Sequence, residues 1–91
     1  MTLCWDDAKR ERTLRERGLD FARAEEVFAG LTWDFPDEAH SQDEERWITV
    51  GWLDGLLVMI VRKEEREGLT RIISMRYATA NERKLYVQEV G

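Results

Sequence analysis

Apolar side chains fall in short runs along this chain, and the period of those runs changes from segment to segment. Thr2 to Trp5 has the form of a short strand. Asp6 or Asp7 then caps a helix running to about Arg17. Ala8 and Leu14 are almost its only apolar positions, so it is expected to lie across the surface. Gly18 suits the left-handed residue that ends such a helix. Asp20 opens a second helix, where Phe21, Ala24, Val27 and Phe28 recur at helical spacing and should face the core. Gly30 stops it. Leu31 to Phe35 alternates as a strand does, and Pro36 ends it. Pro36 to Glu45 reads as a polar loop. Arg46 to Trp52 and Leu56 to Arg62 are two further strands. Leu53-Asp54-Gly55 joins them, and the Asp-Gly pair supplies the positive φ of a tight hairpin. Lys63 to Gly68 reads as a charged turn, and Leu69 to Met75 as the last strand. Thr79 followed by Glu82 is a capping box for a final helix from about Ala80 to Val90. The order β-α-α-β-β-β-β-α predicts an α+β domain whose sheet is an antiparallel meander, with two N-terminal helices and one C-terminal helix. No repeat or linker interrupts it, so residues 1–91 are expected to form one domain.

Charge changes this picture in one respect. The net charge of −5 argues against a surface that binds nucleic acid non-specifically. The acidity is unevenly placed. Residues 31–45 carry Asp34, Asp37, Glu38, Asp43, Glu44 and Glu45 without a Lys or Arg, whereas residues 71–91 carry Arg71, Arg76, Arg83 and Lys84 against Glu82 and Glu89. A locally positive site on an acidic protein is therefore open. The lone Cys4 has no partner for an internal disulfide, which fits a reducing compartment. Met1 to Phe21 lacks the apolar segment of a signal peptide, and Leu56 to Val61 is too short to span a bilayer. A cytoplasmic protein without membrane contact is expected.

Most catalytic schemes are short of residues. One His and one Cys make no zinc set, and the acidic loop lacks the spacing and glycine of an EF-hand, so no metal and no cofactor are expected. Ser74 lies in a strand, and His40 in the acidic loop is poorly placed to serve it. The first helix carries Lys9, Arg10, Arg12, Arg15 and Arg17 interleaved with Glu11 and Glu16. That pattern fits a solvated face with ion pairs such as Glu11–Arg15, or a surface in which Lys9 and one or two of the arginines extend a phosphate site. The richest stretch is Arg71 to Tyr86. Arginines flank a buried strand, and Glu82 and Arg83 follow in the first turn of a helix. Guanidinium groups gathered there suit a phosphodiester, because they stay charged and bind phosphate as a fork. Ordinary surface ion pairs are the alternative.

Several segments together resemble the BrnT family of type II toxins, ribonucleases with a RelE-like fold. Trp5-Asp6-Asp7-Ala8-Lys9 is similar to that family's W-D-x-x-K opening. Gly18-Leu19-Asp20-Phe21 with Ala24 and Val27-Phe28 resembles its G-[IVL]-x-F-x-x-A-x-x-[VI]-F. Glu45-Arg46 through Gly51 resembles its hairpin motif, with the glycine one residue early. Arg71 to Arg76, Glu82-Arg83 and Tyr86 resemble R-[IL]-I-S-[AM]-R-x-A-[ST]-x-x-E-R-x-x-Y. The family's common Asn, and its Lys-His before the glycine, are replaced here by Thr13, Glu16 and Arg17.

The resemblance implies RNA cleavage without a metal. A base takes the proton of the ribose 2′-OH, cations stabilise the phosphorane, and an acid protonates the leaving 5′-oxygen. On this reading Arg76 stabilises the phosphate, with Arg83 beside it. Glu82 acts as general base or orients its neighbours, or it only caps its helix. Arg71, Arg46 and Lys9 bind substrate, and Tyr86 stacks on a base or packs in the core. The implied partners are the RNA substrate and a ribbon-helix-helix antitoxin of the BrnA kind. Operator DNA would be reached only indirectly, through that antitoxin. The acidic loop at 37–45 is expected to receive the antitoxin's basic surface. The alternative is a RelE-like domain that has lost catalysis and serves as a binding or regulatory subunit. An independent DNA-binding role lacks a basic recognition helix.

Overall fold

The computed structural model describes residues 1–40 and 44–91. Strand β1 (Thr2–Cys4) leads into helix α1 (Asp7–Arg17). A 3-10 turn (Phe21–Arg23) then precedes the short helix α2 (Ala24–Phe28). Strands β2 (Trp33–Pro36), β3 (Trp47–Leu53), β4 (Leu56–Arg66) and β5 (Leu69–Tyr77) follow, and helix α3 (Ala80–Val90) ends the chain. The helix ends form where local chemistry directs. Asp6 accepts from the Lys9 amide, Gly18 takes φ 71° to close α1, and Asp20 accepts from the Ala22 amide. Both halves of the capping box between Thr79 and Glu82 are formed. The hairpin turn has Asp54 at φ 53° and Gly55 at φ 77°, the double positive φ that matches strand twist.

One five-stranded sheet runs in the order β1-β5-β4-β3-β2. Strands β2 to β5 form the expected antiparallel meander. The sheet as a whole is mixed, because β1 lies parallel to β5 with Thr2 opposite Leu69 and Cys4 opposite Arg71. Helices α1 and α2 carry the chain from one sheet edge to the other, so β1 and β2, adjacent in sequence, never meet. A crossover of that length permits a parallel neighbour. Several boundaries also differ from expectation, among them β5, which runs on to Tyr77. The second helix begins as a 3-10 turn. Strand β2 starts at Trp33 rather than Leu31 and includes Pro36, which an edge strand tolerates because its missing N–H need not pair. The segment expected as a charged turn is the second half of β4, with Lys63 opposite Arg71 and Glu64 opposite Thr70. Glu65 pairs with Arg71 across the strands and Lys63 reaches Glu44, contacts that help a polar sequence stay extended.

The register of β4 with β5 shifts between Val61 and Arg62, where the partners pass from Ser74 to Ile72 and leave Ile73 as an extra residue. Such a bulge reverses the side of the sheet on which all earlier residues of that strand project. Arg71 and Arg76 would otherwise point to opposite faces. With the bulge, Arg71 is level with Lys63 and Arg76 with Met59, and both project to the face that carries α3.

The sheet separates two apolar clusters. On one face Leu19, Phe21, Ala24 and Val27 pack on Leu53, Val58, Ile60, Ile72 and Met75. On the other, Tyr86 of α3 packs with Val50, Leu57 and Met59, beside the partly buried Trp33, Phe35 and Ile48. Helix α2 lies so close to β3 that a Cβ at Gly51 would stand 2.8 Å from Val27 Cγ1. Helix α1 buries none of its residues. Polar contacts hold it instead. The Arg10 guanidinium forks onto Asp20 at 2.7 and 3.1 Å and lies over the Trp5 ring, and Arg17 donates to the Met75 carbonyl at 2.9 Å. The ion pair found is thus Arg10–Asp20, and none joins Glu11 to Arg15 among the described residues. No helix among the described residues is long and apolar enough to cross a membrane.

Candidate functional site

The end of β5 and the first turn of α3 meet at Arg76. Thr79 sets the start of α3, and this places Glu82 over the strand just left. Arg76 Nη1 donates to Glu82 Oε1 at 2.8 Å, and Arg76 Nη2 to Oε2 at 2.7 Å. Nη1 also donates to the Tyr77 carbonyl at 3.2 Å. The Thr79 amide donates to Glu82 Oε1 at 2.8 Å, and Glu82 returns its own amide to Thr79 Oγ1 at 3.2 Å. Glu82 therefore acts as cap and as clamp together. The hydrogen bonds from Arg76 hold its carboxyl down to about 2, against the opposing effect of burial, and the Thr79 amide adds to this. Glu82 in turn raises the Arg76 guanidinium further above its already high value.

A guanidinium has five N–H donors. The Glu82 and Tyr77 contacts use both on Nη1 and one on Nη2. The Nε–H and the second Nη2–H remain. They point the same way from one edge of the group, and that pair of parallel donors matches two phosphate oxygens. The Arg76 side chain is 44% exposed. Arg83 stands on the same turn of α3, exposed and without an ion pair among the described residues.

The other expected binding residues lie elsewhere. Arg71 is five residues earlier on β5, roughly 15 Å away at strand spacing, and bonds Glu65. Arg46, just before β3, bonds Glu44 at 3.0 Å. Lys63 joins the two pairs, reaching Glu44 at 2.6 Å and Glu65 at 3.6 Å. These hydrogen bonds lower both carboxyls, Glu44 chiefly through Lys63 and Glu65 chiefly through Arg71. The result is a ladder Arg46–Glu44–Lys63–Glu65–Arg71 on the α3 face. Lys9 is in the first turn of α1, near the β1 end of the sheet, and is not part of either group. Tyr86 is buried, and its hydroxyl donates to the Leu31 carbonyl at 2.7 Å. This placement favours packing over base stacking, since no free ring face is presented. In the acidic loop, Asp37 is buried and Glu44 belongs to the ladder, leaving Glu38 and Glu45 exposed. Asp43 lies outside the described residues.

The structure thus unites Arg76 and Glu82 and sets Arg71 and Arg46 apart, while Arg83, next to Glu82 in the chain, shares a helix face with Lys84, Val87 and Gln88. Sequence reasoning missed Lys63 and Glu65 because their segment reads as a turn. The run Arg62-Lys63-Glu64-Glu65-Arg66 carries no strand signal of its own. Arg17 reads in the sequence as one of the first helix's basic residues and as a departure from a family pattern, yet it bonds the carbonyl immediately before Arg76. Among the described residues, no group of three His, Cys, Asp or Glu side chains is placed to hold a metal ion.

Comparison with known proteins bears on the family and the fold. Residues 5–82 match the family model described as ribonuclease toxin, BrnT, of type II toxin-antitoxin system. The chain is also similar to the Brucella abortus ribonuclease toxin BrnT, known from a crystal structure at 1.1 Å resolution. The two share 30% sequence identity over 87% of this chain and 97% of that one, with a TM-score of 0.70. No curated protein matches the chain.

Proposed function

Since the chain belongs to the BrnT family, the ribonuclease toxins of type II toxin-antitoxin systems, we propose that it cleaves RNA without a metal and that Arg76 is the group that stabilises the reacting phosphate. The observation that carries this reading is the open edge of Arg76, two parallel donors on a half-exposed guanidinium whose other edge is fixed. The 2′-oxygen of the ribose attacks the adjacent phosphorus, and the bond from phosphorus to the 5′-oxygen breaks. Negative charge grows on the non-bridging oxygens as this happens, and a pre-aligned pair of donors stabilises it without reorganisation. Arg83 adds a second positive charge from the same helix turn. Arg71 and Arg46, with Lys63, would guide the strand further along the α3 face, more weakly because Glu65 and Glu44 neutralise much of their charge.

The family implies an antitoxin. We assign it the ribbon-helix-helix type, with DNA reached through it, and we assign the toxin a RelE-like fold and an effect on translation. One experiment tests the whole reading. Induction of the chain should arrest growth, co-expression of its antitoxin should restore it, and purified protein should cleave RNA in the presence of a chelator. Arg76→Ala should lower cleavage by ~10²–10³-fold while the circular dichroism spectrum is unchanged. A folded Arg76→Ala protein that cleaves normally would remove Arg76 from the site. A wild-type chain that binds antitoxin and cleaves nothing would instead support a binding subunit that has lost catalysis.

A further inference from the structure

We infer that Glu82 is a positioning residue, which fixes the Arg76 guanidinium so that its Nε–H and outer Nη2–H face the scissile phosphate, and which takes no proton from the substrate. The inference rests on the ribonuclease reading above and deepens it. Both carboxylate oxygens are engaged, Oε1 by Arg76 and the Thr79 amide and Oε2 by Arg76 again. To accept a proton, Glu82 would have to give up charge-assisted bonds that hold both its helix start and its arginine. A general base also works best with a pKa near the working pH, and this carboxyl lies at about 2.

The pairing has a consequence for charge. Arg76 and Glu82 together are neutral, so they pull weakly on the single charge of a resting phosphodiester. The open donor edge becomes worth more as the phosphorane gains its second charge. Binding energy is then expressed mainly in the transition state, where it raises rate. Water supplies the proton traffic. Hydroxide takes the 2′-OH proton as the 2′-oxygen bonds to phosphorus, and a water molecule gives a proton to the departing 5′-oxygen, which regenerates hydroxide. The products are a 2′,3′-cyclic phosphate and a 5′-hydroxyl.

The test compares Glu82→Ala with Glu82→Gln. Glutamine retains the reciprocal cap and one acceptor for Arg76. Glu82→Ala should lower kcat by about 10²-fold. Glu82→Gln should recover at least about tenfold of that loss and keep the wild-type shape of the pH profile between about pH 4 and 8. Glu82→Gln as inactive as Glu82→Ala, or an acid limb present in wild type and lost in Glu82→Gln, would overturn the inference. A second readout does not need cleavage. The Arg76 Nε–H resonance should shift when a 2′-deoxy oligonucleotide is added, and the shift should vanish in Glu82→Ala. If wild type cleaves no RNA but shows this behaviour, the ribonuclease reading fails and the positioning role stands. An Arg76 Nε–H that does not respond in wild type overturns the positioning role itself.

Discussion

Position 51 has no room for a methyl group. A Cβ there would press on Val27 Cγ1 at 2.8 Å and Thr32 Cγ2 at 3.3 Å, and Val27 is fully buried. Valine in a helix has one strongly preferred rotamer, so it cannot swing aside cheaply. Gly51→Ala should therefore destabilise the fold by ~1–3 kcal/mol, read as a lower urea midpoint with an unchanged slope. An unaltered midpoint would show that α2 can move off the sheet at little cost. The glycine is conspicuous in the sequence, but its reason is not, because the crowding comes from a helix more than twenty residues earlier in the chain. Glu82 shows a similar limit. Its place as a capping residue is written in the short Thr79–Glu82 spacing. Its fork with Arg76 depends on how sharply the chain turns between strand and helix.

Elements whose ends depend on neighbouring residues were legible. Asp6, Gly18, Asp20, Asp54-Gly55 and the Thr79–Glu82 box all act within a few residues, and each acts where the sequence placed it. Elements that depend on distant partners were not. Nothing near Thr2–Cys4 announces a parallel neighbour almost seventy residues away, and nothing near Glu64-Glu65-Arg66 announces that Arg71 bonds Glu65 across the strands. Helix α1 is an intermediate case. Its sparse apolar pattern correctly implied a surface helix, but not the hooks that secure it. With no buried side chain, α1 should owe much of its attachment to Arg17 on the Met75 carbonyl. Arg17→Met should quicken amide exchange across α1 about fivefold, equivalent to one hydrogen bond of about 1 kcal/mol, and leave exchange in β3 and β4 unchanged. Equal exchange in the two proteins would mean that Arg10 and Trp5 suffice.

At the scale of the molecule, charge is organised as pairs rather than patches. Asp20 is lowered by Arg10, Glu26 and Asp54 by Arg23, Glu44 by Lys63, Glu65 by Arg71, and Glu82 by Arg76. A carboxyl lowered in the folded state binds fewer protons than it does unfolded. Its contribution is complete above its unfolded value and disappears as pH falls through its folded one. For Glu82 that window runs from 4.5 down to about 2. The urea midpoint should hold near neutrality and fall steadily below about pH 4.5, and Glu82→Gln should flatten part of the fall. A midpoint that is level down to pH 3 would show the pairs to be energetically idle. The extra residue Ile73 acts at this same scale without any charge of its own. It is a parity correction: Arg71 and Arg76 are an odd number of residues apart, and one uncounted residue makes the interval even. Substituting Ile73 leaves the count intact, so a scan of single replacements would pass over its main contribution. Removing it would leave Arg71 and Arg76 four residues apart, an even interval that keeps both on one face of an unbroken ladder, whereas one further residue inserted into a regular strand would part them. For this protein, some length changes in β5 are thus a different kind of mutation from any change of side chain.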